Sequence, residues 1–110
     1  MVKINSSTYG SITIDGIAYN HDVFILPSGQ VEEREYGHTF TKEQVKHVLK
    51  EKPEIIIIGK GTSGMASLSG EGRKLLKGIK IIEDWTPKIR DKFNELAKTK
   101  KVAAIIHVTC

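Results

Sequence analysis

Residues 54–64, EIIIIGKGTSG, decide the fold, because four consecutive isoleucines run directly into a glycine-rich segment. A short, continuous run of β-branched residues is typical of a strand that is buried on both faces of a parallel sheet. The following Gly59, Gly61 and Gly64 match G-x-G-x-x-G, the spacing that seats a dinucleotide pyrophosphate in Rossmann folds. The stretch therefore predicts a parallel sheet and raises the question of a nucleotide site.

Two further apolar runs, IKII at 79–82 and VAAIIHV at 102–108, have the same continuous character. Each is separated from the preceding run by about 20 residues with one helical pattern, which is the length of a right-handed crossover. We therefore predict buried strands at 55–58, 79–82 and 102–107 that are at least partly parallel.

The N-terminal third predicts antiparallel hairpins. Asp15-Gly16 lies between alternating apolar positions, the pattern of a two-residue type I′ turn, and predicts that Ile14 pairs with Ile17 on one face. A second turn is predicted at 27–29 from its Pro-Ser-Gly sequence. The predicted strands lie near residues 10–14, 17–25 and 30–34.

Three helices are indicated by their start and stop residues. Thr41 and Gln44 have the spacing of a capping box, and Pro87 occupies a first-turn position that needs no N–H. Leu75 and Leu76 are expected to face inward from the middle helix. The predicted helices lie near residues 41–51, 70–77 and 87–98. The fold class is thus α/β with a mixed, partly parallel central sheet and N-terminal antiparallel hairpins, in a single domain spanning 1–110.

Composition narrows the function classes. The chain has 110 residues and a net charge of +4, but its lysines alternate with glutamates, which disfavours nucleic acid as a partner. A single cysteine, Cys110, excludes an internal disulfide. No apolar run approaches the roughly 20 residues of a membrane-spanning helix, and the first ten residues lack the features of a secretion signal. These features predict a cytoplasmic protein without a membrane partner.

The sequence contains features for and against a dinucleotide site at the glycine motif. Glu83 and Asp84 follow Gly64 at about the spacing of the ribose-binding acid in dinucleotide folds. However, MASLSGEG at 65–72 delays the next helix to about Ser69, so its N-terminus cannot point at a pyrophosphate seated in the motif. We therefore predict no tight binding of NAD or FAD and no cofactor.

The loop is still the best candidate ligand site, because ligands of α/β proteins bind at the carboxyl ends of parallel strands. Approachable amides and a lysine would suit a weakly held phosphate or sulfate. The candidate residues are Gly59, Lys60, Gly61, Thr62, Ser63 and Gly64. No catalytic constellation is evident. The four histidines lack metal-ligand spacing and are interpreted as structural, so no metal site is predicted: His21, His38, His47 and His107.

Several segments resemble a family of small α/β domains of unknown function named after a methanogen protein. The matching segments, in chain order, are YGSITIDGIAY, Asp22-Val23, Pro27-Ser28-Gly29, Gly37-His38, PEIIIIGKGTSGM, Thr86, Asn94 and VAAIIHVTC. The family usually has a small residue between the first two glycines of the loop, where this chain has Lys60.

The resemblance implies a three-layer sandwich and a function without established catalysis. Relatives implied by it include a mitochondrial assembly factor for respiratory complex I and a cytosolic protein linked to adipocyte differentiation. We therefore expect a non-catalytic interaction or assembly protein that binds a protein partner. The first alternative is a small-molecule or anion-binding protein, or an enzyme, that uses residues 59–64, and the second is a weak nucleic-acid binder.

Overall fold

The computed structural model describes residues 2–110, in which ten strands, three α-helices and one 3₁₀ helix follow in chain order. The strands are β1 (Ile4–Thr8), β2 (Ser11–Ile14), β3 (Ile17–Tyr19), β4 (Val23–Ile25), β5 (Val31–Glu33), β6 (Thr39–Phe40), β7 (Ile55–Lys60), β8 (Ser67–Leu68), β9 (Lys80–Asp84) and β10 (Val102–His107). The helices are α1 (Lys42–Leu49), α2 (Gly70–Leu75), a 3₁₀ helix (Thr86–Lys88) and α3 (Arg90–Leu96).

The central sheet has five strands in the order β5-β4-β10-β7-β9. β7 pairs in parallel with β10 on one side and with β9 on the other, whereas β4 and β5 extend the sheet in antiparallel pairing. The predicted mixed, partly parallel sheet is therefore confirmed. The buried strand predicted at 79–82 is wrong in its burial, because β9 is the edge strand of this sheet and none of its residues is fully buried. The small two-stranded sheet of β6 and β8 is parallel and was not predicted.

The isoleucine run explains the layers. Ile55 and Ile57 face one hydrophobic cluster, while Ile56 and Ile58 face a second cluster on the other side of the sheet. The first cluster contains residues of β1, β2 and α3, and the second contains residues of α1 and the end of α2. A strand with both faces covered has no solvent-facing position, which is why the run does not alternate with polar residues. The result is the predicted three-layer sandwich.

The N-terminal hairpin has the predicted turn and register. Asp15 and Gly16 both have positive φ, and Ile14 pairs with Ile17 across the turn. Ile17 is nevertheless 57% exposed, because β3 is the edge strand of the three-stranded sheet β1-β2-β3. β1 was not predicted, since its sequence INSST is mostly polar and exposed.

The strand predicted at 17–25 is wrong in one respect, because it is two strands in two different sheets. β3 ends at Tyr19, and β4 begins at Val23 in the central sheet. The chain crosses between sheets at residues 20–22, where the side chain of Asp22 is buried. This side chain anchors the crossing point through hydrogen bonds described below.

The helices begin close to the predicted residues. The Thr41 hydroxyl accepts a hydrogen bond from the Gln44 amide at 3.2 Å, and the Gln44 side chain accepts one from the Thr41 amide, which confirms the capping box. Leu76 is buried, but Leu75 is exposed, so its predicted inward position is wrong. The helix predicted at 87–98 is a 3₁₀ turn containing Pro87 followed by α3. No helix in residues 2–110 is long and apolar enough to cross a membrane.

Candidate functional site

Three chain segments leave the central sheet together where its parallel strands end. In the parallel register His107 of β10 lies opposite Lys60 of β7, and Gly59 lies opposite Asp84 of β9. Residues 59–65, 84–86 and 107–110 therefore meet at one edge, which we call the carboxyl edge. Ligand sites of α/β sheets form at such edges.

The glycines of the motif serve close packing at this edge. Gly61 has a φ of +97°, and a Cβ there would lie 2.5 Å from the carbonyl carbon of Cys110. Gly64 has a φ of +69°, and a Cβ there would collide with the indole of Trp85. Gly59 is buried within β7, against the Thr86 hydroxyl. Each glycine thus has a structural reason that involves no ligand.

The loop amides are engaged by the protein itself. The Gly61 amide donates to the Thr86 hydroxyl at 2.8 Å, and the Thr62 amide donates to the Thr109 carbonyl at 2.7 Å. The Met65 amide donates to the Cys110 carbonyl at 2.9 Å. These amides already donate within the protein, so an anion at residues 59–64 would bind mainly through the side chains of Lys60 and Ser63. The anion site stays a prediction.

Glu83 and Asp84, the two acids at the spacing of a ribose-binding residue, are both hydrogen-bonded within the protein. Glu83 accepts two hydrogen bonds from the Arg73 guanidinium, at 2.9 and 3.0 Å. Asp84 accepts the Trp85 amide at 2.8 Å, and this bond, together with Lys92 at 3.3 Å, lowers the pKa of Asp84. The next helix, α2, begins at Gly70 with Ser69 as its N-cap, as the sequence predicted. This geometry supports the prediction that the motif is not a dinucleotide site.

A buried polar cluster that the sequence did not predict lies behind the carboxyl edge. Asp22, Arg34 and His107 are each at most 2% exposed. The Asp22 carboxylate accepts hydrogen bonds from the Arg34 guanidinium, from His107 Nδ1 at 2.7 Å and from the Val108 amide at 2.9 Å. One carboxylate therefore joins the residue that follows β5, the end of β10 and the crossing between the two sheets.

Each nitrogen of the Arg34 guanidinium has a hydrogen-bond partner within the protein. Besides the bond to Asp22, Nε donates to the Gln44 side chain at 2.9 Å, and Nη2 donates to the carbonyls of Gly37 and Thr39 at 2.9 and 3.0 Å. Burial lowers the pKa of Arg34, while the charge and hydrogen bond of Asp22 raise it. Because the ordinary pKa of arginine lies so far above neutrality, the side chain stays charged and neutralises Asp22. The two residues form a buried ion pair.

Two histidines and the cysteine come together in front of this pair. Tyr36 and His38 lie against the His107 ring, with ring centroids 5.4 and 5.0 Å from it. His107 Nε2 is 3.1 Å from the Thr109 hydroxyl, and His38 Nε2 is 3.4 Å from the Cys110 Sγ. Imidazole nitrogens and a thiolate are ligands for transition metals. Sequence spacing did not indicate this group, because His38 lies 72 positions before Cys110.

The other two histidines fit the structural interpretation. His21 Nδ1 lies 2.9 Å from the Asp22 carbonyl, and His47 Nε2 lies 2.5 Å from Glu32.

His47 also lines a groove of about 560 Å³ beside α1, whose other lining residues are mostly acidic. They are Phe24, Glu32, Glu33, Glu35, Glu43 and Gln44.

Large apolar side chains are exposed around the carboxyl edge. Tyr36 and Met65 are each 63% exposed and Trp85 is 48% exposed. Tyr36 contacts His38 and His107, Met65 bonds Cys110 through its amide, and Trp85 packs on Gly64. We call Tyr36, Met65 and Trp85 the edge surface.

A family of proteins of unknown function, DUF498/DUF598, matches residues 4–107 of the chain. The chain belongs to this family. The resemblance inferred from the sequence is therefore confirmed. No protein with a curated description matches the chain.

Several solved structures share the fold over nearly the whole chain. A conserved hypothetical protein, PH1505 from Pyrococcus horikoshii OT3, is 34% identical with a TM-score of 0.92, over 98% of this chain and 99% of that one. A structure designated MT938 is 30% identical with a TM-score of 0.83, over 100% of both chains. A Bordetella pertussis protein described as a Mth938-like domain is 13% identical with a TM-score of 0.66, over 96% of this chain and 85% of that one. The last likeness concerns the fold alone.

Proposed function

We propose that the protein is a non-catalytic, assembly-factor-like protein that acts in the cytoplasm and binds a partner protein through the edge surface. The observation that supports this proposal is the exposure of Tyr36, Met65 and Trp85 around one edge of the sheet. Tyrosine, tryptophan and methionine are enriched in protein interfaces, and aromatic anchors contribute a large part of the binding free energy.

The backbone beneath the edge surface is well suited to present these side chains. The Trp85 indole rests on Gly64, and the Met65 amide is held by the Cys110 carbonyl at 2.9 Å. A surface whose backbone is already ordered loses little conformational entropy on binding, so more of the contact energy contributes to affinity. Lys88 lies with its Nζ 5.5 Å from the Trp85 ring centroid and adds a cation at the rim.

The chemistry of the buried cluster favours binding over catalysis. Asp22, His107 and Thr109 are linked in the order carboxylate, imidazole and hydroxyl, as in a nucleophile-activating triad. Asp22, however, is neutralised by Arg34 and holds the Val108 amide, and the His107 ring is completely buried. These contacts favour a role for the chain of hydrogen bonds in holding residues 107–109 in place.

The test is recovery of a partner from an extract of the source cells with immobilised protein. We expect a protein retained in stoichiometric amount, lost with the double variant Met65→Ser/Trp85→Ala and retained by the control Ile17→Ser. Ile17 is similarly exposed but lies on β3, the edge strand of the separate three-stranded sheet. No stoichiometric partner, or a partner that the double variant still retains, would contradict the proposal.

Binding of a simple anion at residues 59–64 is a second candidate function. Lys60 is half-buried at the end of β7 and has no ion pair within residues 2–110, and Ser63 of the same loop is exposed. Calorimetric titration with phosphate and sulfate should then show weak binding that Lys60→Ala abolishes and Lys46→Ala does not. Generic RNA in the same experiment tests nucleic-acid binding, which would weaken steeply with added salt.

A further inference from the structure

We propose that His38, His107 and Cys110 form a binding site for a zinc ion at the carboxyl edge, with three protein ligands and a fourth position open to water. The inference does not depend on the proposed partner protein. It rests on a juxtaposition that only the folded chain creates, since the loop after β5, the end of β10 and residue 110 each supply one ligand atom.

The distances suit a small tetrahedral site. The three ligand atoms all lie within 4.8 Å of one another, and His38 Nε2 lies 3.4 Å from Cys110 Sγ. Zinc–nitrogen bonds of about 2.0–2.1 Å and a zinc–sulfur bond of about 2.3 Å place N and S roughly 3.5 Å apart in a tetrahedron. The pair of His38 and Cys110 is therefore already at coordination spacing, and the His107 ligand atom lies within 4.8 Å of both.

The hydrogen bond between Asp22 and His107 orients the buried ligand. An ionised carboxylate only accepts hydrogen bonds, so the His107 proton is assigned to Nδ1, which lies 2.7 Å from Asp22. In the neutral ring Nε2 is then left with its lone pair, on the side where the Thr109 hydroxyl now lies at 3.1 Å. Zinc-binding histidines are commonly held by a carboxylate in this way. Arg34 and the Val108 amide fix that carboxylate in turn.

The other two ligands differ in mobility. The backbone of Cys110 is held, because its carbonyl accepts the Met65 amide and the preceding Thr109 carbonyl accepts the Thr62 amide. His38 is exposed, and its side chain is free to adjust to an incoming ion. A fixed pair of ligands with one adjustable ligand at the surface gives the ion a route of entry.

The donor types select the metal. Two imidazoles and one thiolate suit zinc, whereas calcium and magnesium require oxygen ligands that this group does not offer. With three protein ligands the fourth position is available to water or to a small ligand, as in the zinc sites of enzymes. Cysteine must lose its proton to bind, so zinc binding releases a proton and weakens as the pH falls.

The test is a titration of chelator-treated protein with Zn²⁺ in competition with a chromophoric chelator. We expect one zinc per chain, with affinity reduced at least about 10–100-fold by Cys110→Ser and by His38→Ala. His47→Ala is the matched control, since this imidazole faces Glu32 outside the cluster, and it should leave the affinity unchanged. Both ligand variants alter side chains outside the two hydrophobic clusters, and circular dichroism of the metal-free proteins checks that they fold.

Cobalt substitution identifies the sulfur ligand directly. Co²⁺ bound to the wild-type protein should show a thiolate-to-cobalt charge-transfer band, which Cys110→Ser removes and His47→Ala preserves. The proposal is overturned if the wild-type protein binds no zinc, if both ligand variants bind zinc as tightly as the wild type, or if the charge-transfer band persists in Cys110→Ser.

Discussion

The glycine loop and the buried polar cluster lie side by side at the carboxyl edge, yet they differ in how they relate to the sequence. The loop at 59–64 carries a recognisable motif, and its glycines are explained by close contact with Cys110 and Trp85. The cluster of Asp22, Arg34 and His107 carries no motif, and its side chains are joined by hydrogen bonds to one carboxylate. The glycine motif thus reflects local backbone geometry, whereas the polar residues of the cluster are brought together by contacts between distant parts of the chain.

The largest effect is expected from breaking the buried ion pair. Asp22→Ala leaves Arg34 charged and without its carboxylate, which should lower the free energy of unfolding by about 3–5 kcal/mol. Urea denaturation measures the loss. The double variant Asp22→Asn/Arg34→Met should lose less than the sum of its two single variants, because neither partner is left uncompensated. Additive losses would show that the pair is not coupled.

Thr86 joins the two regions and sharpens the comparison. Its buried hydroxyl accepts the Gly61 amide at 2.8 Å and donates to the His107 carbonyl at 2.6 Å. Thr86→Val keeps the shape but leaves both groups without a partner, at a cost of about 1–3 kcal/mol for each group left unsatisfied. Thr86→Ser retains the hydroxyl and should stay within about 1 kcal/mol of the wild type. Equal stability of the two variants in thermal denaturation would show that the Thr86 hydroxyl does not stabilise the contact between the loop and the cluster.

Gly61→Ala tests whether packing explains the motif. The added Cβ would meet the backbone of Cys110 and would sit at a positive φ, so we expect a loss of about 1–3 kcal/mol. Gly37→Ala is the control, because a Cβ there meets no atom within 4 Å and its φ is not in the left-handed region. If Gly61→Ala is as stable as Gly37→Ala in urea, close packing against Cys110 does not explain the glycine at position 61.

The smallest effect concerns pH. The folded-state pKa of Asp84 lies below its ordinary value of 3.8, because Asp84 accepts the Trp85 amide and lies near Lys92. Its stabilising contribution is therefore present above the unfolded pKa and is lost as the pH falls through the lower folded value. Since Asp84 is partly exposed, the contribution should stay under about 1 kcal/mol.

The unfolding free energy of Asp84→Asn, measured between about pH 5 and pH 2, should converge on that of the wild type at the acid end. Asp91→Asn, at an exposed position on α3, serves as the matched control for the change of charge. A constant difference across this range would contradict the assignment.

Much of the fold was predictable because its signals are local. The capping box of Thr41 and Gln44, the turn at Asp15-Gly16 and the isoleucine run each specify a conformation within a few residues. β1 was missed because only Ile4 of the strand is buried, and α3 anchors that residue through Asn94, which bonds both its amide and its carbonyl at 2.8 Å. A contact between residues 90 positions apart leaves no periodic pattern.

The candidate site was predictable only as a location. Parallel strands placed residues 59–64 at the carboxyl edge from sequence alone, and the late start of α2 at Gly70 disfavoured a dinucleotide. The use of the loop amides by Thr86, Thr109 and Cys110 was not predictable, because those acceptors follow other strands. A histidine inside an apolar strand, His107, was the one signal in the sequence that could have pointed to a buried polar partner.

The sequence by itself determined the three parallel strands of the central sheet, the capping box of α1, the parallel crossovers and the place where these strands end, since each depends on hydrophobic periodicity or on turn and cap chemistry. Only the tertiary structure decided that Asp22 meets His107, 85 residues later, and that His38 meets Cys110. Such contacts follow from the order and register of the strands, which the packing of both faces selects over the whole chain. The polar residues at the carboxyl edge therefore become neighbours only in the folded chain, although no sequence motif links them.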